Sequence, residues 1–319
     1  WCVALADTMS CVATSRVPKV RCDSVEPRGC PVAHARRSVN VTIFIAASLI
    51  TGLGVAEHVG AAGGTTYYVA PPPAGSDGNP GTSDDPWATI QHAAIAVEAG
   101  DTVVVRPGSD AGAELTTSGT EMAPITCRAE EGGTVTIPAD HPSTPDGFNI
   151  EGANWIVIEG FTVNGRTRAG IRAVLCAHVS IRGNECDGNG KWGIFTGFCD
   201  DLLIEENSTS GSIDEHGIYV SNSGDRPIIR GNQIWGNSAN GIHMNGDVSM
   251  GGDGVISGAL VEDNLIWDNG TMGGSGINMD GVQDSLIRNN LVYATHSSGI
   301  SLYQIDGGAP SSGNRVLNN

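Results

Sequence analysis

Two histidines sit where an imidazole could move a proton. His216 directly precedes Gly217 in "DEHGIY", at a turn, and His243 follows Ile242 in "GIHMN", one residue out from an apolar position. A histidine can serve as general acid or base near neutral pH. Tyr219 and Lys191, the one lysine between residues 63 and 319, complete the catalytic candidates. Asn245, Asn278, Asp280 and Tyr303 are the candidates for binding substrate. Phenol rings suit stacking on sugars, and amide and carboxylate groups hydrogen-bond to hydroxyls. Asp247, Asp253 and Asp280 could hold Ca²⁺ together with carbonyl oxygens, because a hard cation takes oxygen ligands. Cys176 and Cys199 each lie five residues after an Ile. If those two Ile residues stack, the cysteines do too, within disulfide reach, and a Cys176–Cys199 bond is expected.

These residues belong to a repeat. Gly-Ile pairs occur at Gly170, Gly193, Gly217, Gly241, Gly276 and Gly299, mostly 23 or 24 residues apart. Asparagines follow at Asn184, Asn207, Asn232, Asn264, Asn290 and Asn319, in contexts such as "IRGN", "IEEN" and "VEDN". A period this short, built from brief β-rich runs, marks a solenoid. Three short strands and three turns per period give a parallel β-helix.

The columns follow from strand alternation. Ile171, Ile194, Ile218, Ile242, Ile277 and Ile300 form one inward column, and Ala173, Thr196, Val220, Met244, Met279 and Leu302 a second. The asparagines are expected to hydrogen-bond along the stack. Glu159, Arg182, Glu205, Arg230, Glu262 and Arg288 alternate in sign on an outward column, an ion-pair ladder at roughly 4.8 Å spacing. Tyr219, His243, Asn278 and Ser301 share one outward column beyond the Gly-Ile pairs, and Asn245, Asp280 and Tyr303 the next. Two coils carry insertions, "DVSMGGDGVISG" and "QIDGGAPSSG", while the coil between them has none. Two walls around a low coil predict a trough beside the polar-aromatic columns.

With 319 residues, 39% of them hydrophobic, the chain can build a sizeable core. Its formal charge of −18 argues against nucleic acid and anionic membranes as partners. Residues 1–35 read as an upstream extension outside the fold. Residues 36–62 read as a signal peptide: "HARR", an apolar stretch over 39–55, then small residues. Residues 63–139 would form the N-terminal cap and first coils, and 140–319 the regular coils, C-terminally truncated. Asp85 and Pro86 suggest a helix start, with Ile90, Ala93, Ala94 and Val97 on one face, to plug the open end.

The segment "YYVAPPPAGSDGNPGTSDDPWATIQHAAIAVEAGDTVVVRPG" (67–108), with "SGTEMAPITCRAEEGGTVTI" and the coils after it, resembles secreted right-handed parallel β-helix proteins of the pectin-lyase-like superfamily. The resemblance extends to residue 319. It implies an all-β solenoid and a secreted or cell-surface protein acting on extracellular polysaccharide. Lyases of this fold use Lys or Arg as base with Ca²⁺ neutralising a uronate, so the first expectation is β-elimination of a uronate polymer, with Ca²⁺ as cofactor. The alternative is a non-catalytic carbohydrate-binding or cell-surface module, and a third is an epimerase or glycoside hydrolase using His216 or His243. "DEHGIY" resembles part of the mannuronan epimerase signature, without the glutamate after His216. It also resembles the His-Gly element of polygalacturonases, without that family's Asn-Thr-Asp and Arg-Ile-Lys elements. A monomer is expected.

Overall fold

A computed structural model describes residues 63–319. The expected upstream extension and the expected signal peptide fall outside the described residues. The described chain is a parallel β-solenoid with three sheets. Sheet I has ten strands, from Thr66–Val69 and Thr102–Val105 to Arg315–Leu317. Sheet II has eight, from Ala113–Leu115 to Ile300–Tyr303, and sheet III eight, from Gly108–Ser109 to Leu291–Tyr293. A regular coil contributes one strand to each sheet: Ile218–Ser221 to II, Ile228–Arg230 to I and Gln233–Trp235 to III.

The interior is the stack of expected columns, except that Ile300 is only half-buried and Leu302 is 41% exposed. Ile171, Ile194, Ile218, Ile242 and Ile277 are fully buried, as are Ala173, Thr196, Met244 and Met279. Each buried Ile contributes about 1.5–3 kcal/mol. Cys186 lies in the core, as an inward position requires.

Polar groups inside the turns are satisfied along the stack. Asn232 Oδ1 accepts the Asn207 backbone N–H at 2.9 Å, and its Nδ2 donates to the Ile204 carbonyl at 3.0 Å. Asn184, Asn264, Asn290 and Asn319 repeat this pattern. The residue before each of the first five asparagines of the ladder (Gly183, Glu206, Gly231, Asp263, Asn289) has a left-handed φ, which turns the chain from sheet I into sheet III. A second ladder, Asn189, Asn237 and Asn269, runs at the next corner. It escaped the sequence reading, although five-residue spacing from the first ladder was its signal. It also accounts for three of the six Gly-Ile glycines: a Cβ on Gly170, Gly217 or Gly241 would lie 2.9, 2.7 or 3.0 Å from the Nδ2 of Asn189, Asn237 or Asn269.

The charge ladder forms as expected. Arg182 meets Glu159 at 3.1 Å and Arg288 meets Glu262 at 2.7 Å. Arg128 extends the column by one coil.

Three expectations are corrected. The helix is Ile90–Ala96, with Thr89 rather than Asp85 as N-cap. Trp87 is drawn into pairing with Val69, which keeps the chain before Thr89 extended. The buried face of Ile90, Ala93, Ala94 and Val97 does pack against Val103, Leu115, Ile125 and Cys127 at the first coils. Cys176 and Cys199 form no disulfide; they are two buried free thiols. In-register neighbours point the same way. Cys176 Sγ turns to the Val174 carbonyl at 3.0 Å, and Cys199 Sγ to the Ala173 and Gly197 carbonyls at 3.3 Å.

The third correction is the trough. The two insertions do not stand apart but join over the low coil. Gly308 N–H donates to the Gly254 carbonyl at 2.7 Å, and Val248 N–H to the Asp306 carbonyl at 3.0 Å. Ile256–Ser257, from the first insertion, pairs with Val282–Gln283 of the low coil. Gly281 makes this closure possible: a Cβ there would lie 2.8 Å from both the Gly254 carbonyl and the Gly307 Cα.

Candidate functional site

Four consecutive strands of sheet II hold the candidate residues: Ile218–Ser221, Ile242–Asn245, Ile277–Asp280 and Ile300–Tyr303. Their register places Tyr219 opposite His243, His243 opposite Asn278, and Asn278 opposite Ser301. The adjacent outward column is Ser221, Asn245, Asp280 and Tyr303. Strand alternation aims all of these away from the core, but Ser221, Asn245, Asn278 and Asp280 are themselves buried, so the expected patch is exposed only in part.

Tyr219 and His243 are stacked, with ring centroids 4.8 Å apart and planes 7° from parallel. Asn245 Nδ2 donates to the Tyr219 hydroxyl at 3.2 Å. Burial holds the Tyr219 phenol above its usual pKa despite that bond. Burial likewise raises Tyr303, against the contact with Asn278. Trp192 and Phe195 extend the aromatic surface from Tyr219 at centroid distances of 5.9 and 5.5 Å.

His216 reaches this face from the corner before its strand. Its Nε2 lies 2.9 Å from His243 Nδ1, and its Nδ1 accepts the Asn240 backbone N–H at 3.1 Å. Both ring nitrogens are therefore occupied, which corrects the expectation that His216 acts on substrate directly. Burial lowers the His216 pKa to about 4. Burial and the neighbouring His216 lower His243 to about 3, with Asp280 opposing. Both rings are neutral at physiological pH.

Lys191 sits at the same corner and donates to Glu215 Oε1 at 3.0 Å, while Trp192 Nε1 donates to Oε2 at 2.8 Å. Glu215 thus bridges the two. The signal was the period, since Glu215 lies one coil beyond Lys191 and Trp192.

Asp280 and Asp247 do not build the expected cation site. Asp280 is 1% exposed, and its carboxylate accepts the backbone N–H groups of Ile305, Asp306 and Gly307 at 2.9, 2.8 and 3.1 Å. Asp247 caps the short 3-10 turn Val248–Met250 through Ser249. Asp253 receives the Val255 N–H. Among the described residues no group of three or more His, Cys, Asp or Glu side chains could hold a metal ion.

Three polar atoms on this face are buried without a hydrogen-bond partner: His243 Nε2, Asn245 Oδ1 and Asn278 Oδ1. Elsewhere, a groove of about 530 Å³ runs along sheet I past Arg128, Glu130, Glu159 and Arg182. It is shaped by the ion-pair ladder and carries no aromatic side chain, so the sheet II face is the stronger candidate.

Fold and face together define the class: a right-handed parallel β-helix. Residues 67–208 match the family model described as "Pel9A-like, right handed beta helix region". The structure is similar to that of pectate lyase Pel9A, with a TM-score of 0.54 at 16% identity, covering 78% of this chain and 72% of that one. It is also similar to the alginate lyase from Paenibacillus sp. str. FPU-7, with a TM-score of 0.51 at 19% identity, covering 80% of this chain and 98% of that one. Likeness at these identities establishes the fold alone. The uncharacterized protein YwoF of Bacillus subtilis (strain 168) is 28% identical over 138 residues, and the chain spans 30% of that relative's length.

Proposed function

We propose that the protein acts on an extracellular polysaccharide, held across the outer face of sheet II from Trp192 to Tyr303. One observation carries this reading: the three buried, unpartnered atoms His243 Nε2, Asn245 Oδ1 and Asn278 Oδ1 on two adjacent coils. Each unpartnered buried polar atom costs about 1–3 kcal/mol, and a sugar's hydroxyl groups supply the missing partners. Trp192, Phe195 and Tyr219 flank them with the aromatic surface that the apolar face of a pyranose ring stacks on. The rigid stack fixes their spacing. The geometry supports recognition of the polymer most directly. Both imidazoles are neutral, and the neighbouring cations Lys191 and Arg172 are paired with Glu215 and Glu151.

A second reading is polysaccharide lyase activity, β-elimination of a uronate polymer with Tyr219 and His243 handling protons. Both fold relatives named above are lyases, of pectate and of alginate, which favours it. An extracellular location belongs to the same proposal.

The test incubates the protein with pectate, alginate and glycosaminoglycans, with Ca²⁺ and with chelator. Ultraviolet absorbance of the unsaturated uronate product is followed, with affinity electrophoresis in parallel. Retardation without absorbance establishes binding. Absorbance that disappears in Tyr219→Phe establishes the lyase. A folded sample that shows neither on these and on neutral polymers overturns the proposal.

A further inference from the structure

The hydrogen bonds beneath the sheet II face have a direction. The Asn240 backbone N–H can only donate, and it points at His216 Nδ1 from 3.1 Å. His216 Nδ1 therefore carries a lone pair, and the ring's proton sits on Nε2. That nitrogen is 2.9 Å from His243 Nδ1. With the proton on the His216 side, His243 Nδ1 accepts, and the His243 proton is left on Nε2. His243 Nε2 is the nitrogen without a partner. A third proton would break this order, and the burial that keeps both rings neutral prevents it.

We infer that His216 is a positioning residue that locks His243 in its Nε2–H tautomer, and that this donor, with Asn245 Oδ1 and Asn278 Oδ1 as acceptors, seats an uncharged sugar unit through its hydroxyl groups. This inference rests on the reading that a polysaccharide occupies the face. A hydroxyl both accepts and donates, so one sugar satisfies a donor and two acceptors set on neighbouring strands. A carboxylate only accepts and would confront both amide oxygens. The surrounding charge points the same way: Asp280 acts on His243, Glu215 and Asp247 on Tyr219, and Asp306 on Tyr303. The ionisable groups facing the imidazole pair are thus Tyr219, Glu215 and Asp280, and none is a cation.

Two arms test this on the full chain labelled with 15N-histidine. The first reads the tautomer from two-bond 1H–15N spectra, with His243 assigned by its loss in His243→Asn. The expected result is His243 protonated on Nε2 and bare on Nδ1 from about pH 5 to 8. In His216→Gln, whose amide N–H₂ keeps the donor, the tautomer persists; in His216→Leu it becomes a mixture. An Nδ1–H or doubly protonated His243 in the unmutated protein at neutral pH overturns the inference, even if His216→Leu fails to fold.

The second arm titrates gluco-, manno-, xylo- and galacto-hexaoses against oligogalacturonate and oligoalginate of the same length. A neutral hexaose that shifts the His243 Nε2 signal and binds at least about tenfold more tightly than either uronate supports the inference. A uronate that binds more tightly overturns it and leaves the polysaccharide reading standing. Absence of binding by every saccharide overturns that reading, and this inference with it.

Discussion

Asp280 Oδ1 accepts the backbone N–H of Gly307 at 3.1 Å, from one coil to the next. With Ile305 and Asp306 donating to the same carboxylate, Asp280 anchors the closed insertion rather than facing a ligand. Asp280→Asn removes the charge and places an N–H₂ group against backbone N–H groups. The expected cost is about 1–3 kcal/mol, read as a lower Tm, together with faster proteolysis between residues 304 and 310. An unchanged Tm would return Asp280 to the candidates for ligand contact.

Asn232→Ala strips the middle of the buried ladder. It takes the shared acceptor from the Asn207 backbone and side-chain N–H groups and one of the donors from the Ile204 carbonyl. A loss of about 2–5 kcal/mol is expected in urea unfolding, since several desolvated groups go unpaired at once. Glu205→Ala should cost no more than about 1 kcal/mol, because its Arg230 partner is 42% exposed.

Tyr219→Phe and His243→Asn should weaken retention by polysaccharide about tenfold while leaving Tm within a few degrees. Affinity electrophoresis and circular dichroism measure the two sides. Equal loss of fold and binding would mean that these rings support the coil and do not contact ligand.

The imidazole pair makes stability depend on pH. His216 and His243 titrate at about 4 and about 3 in the folded protein, below the ordinary value of 6.5. The unfolded chain therefore binds more protons than the folded one below pH 6.5. The pair's contribution is fully present above pH 6.5 and is lost as pH falls towards 4 and then 3. The loss reaches several kcal/mol by about pH 3. Glu151 and Asp201, held low by Arg172 and Arg226, add loss in the same direction at the acid end. His243→Asn should flatten the slope between pH 6.5 and about 4.5; an unchanged slope would mean the pair is not buried as described.

Peptide mapping after denaturation in an alkylating agent should find Cys176 and Cys199 singly alkylated, along with Cys127 and Cys186. A cross-linked 176–199 peptide would restore the expected disulfide.

The stack itself was legible in the sequence because each coil is local. A period of 23 or 24 residues puts Ile194 over Ile171 and His243 over Tyr219 without knowledge of any distant contact. The charge column, the first Asn ladder and the outward candidate columns followed from alternation alone. The closed loops did not. Whether "DVSMGGDGVISG" and "QIDGGAPSSG" stand apart or meet depends on backbone approach over Gly281, which no column position encodes. The second Asn ladder was written at fixed spacing and went unread.

The amino-acid sequence determined the fold and the face, since the same short-range pattern of side chains repeats at every coil and stacking adds only parallel neighbours. The tertiary structure alone decided what each candidate does there. His216 became an acceptor from Asn240 and a donor to His243, Asp280 an anchor for Ile305–Gly307, and the two cysteines separate thiols. Those roles depend on hydrogen-bond directions and close backbone approaches between coils, and these exist only once the chain has wound.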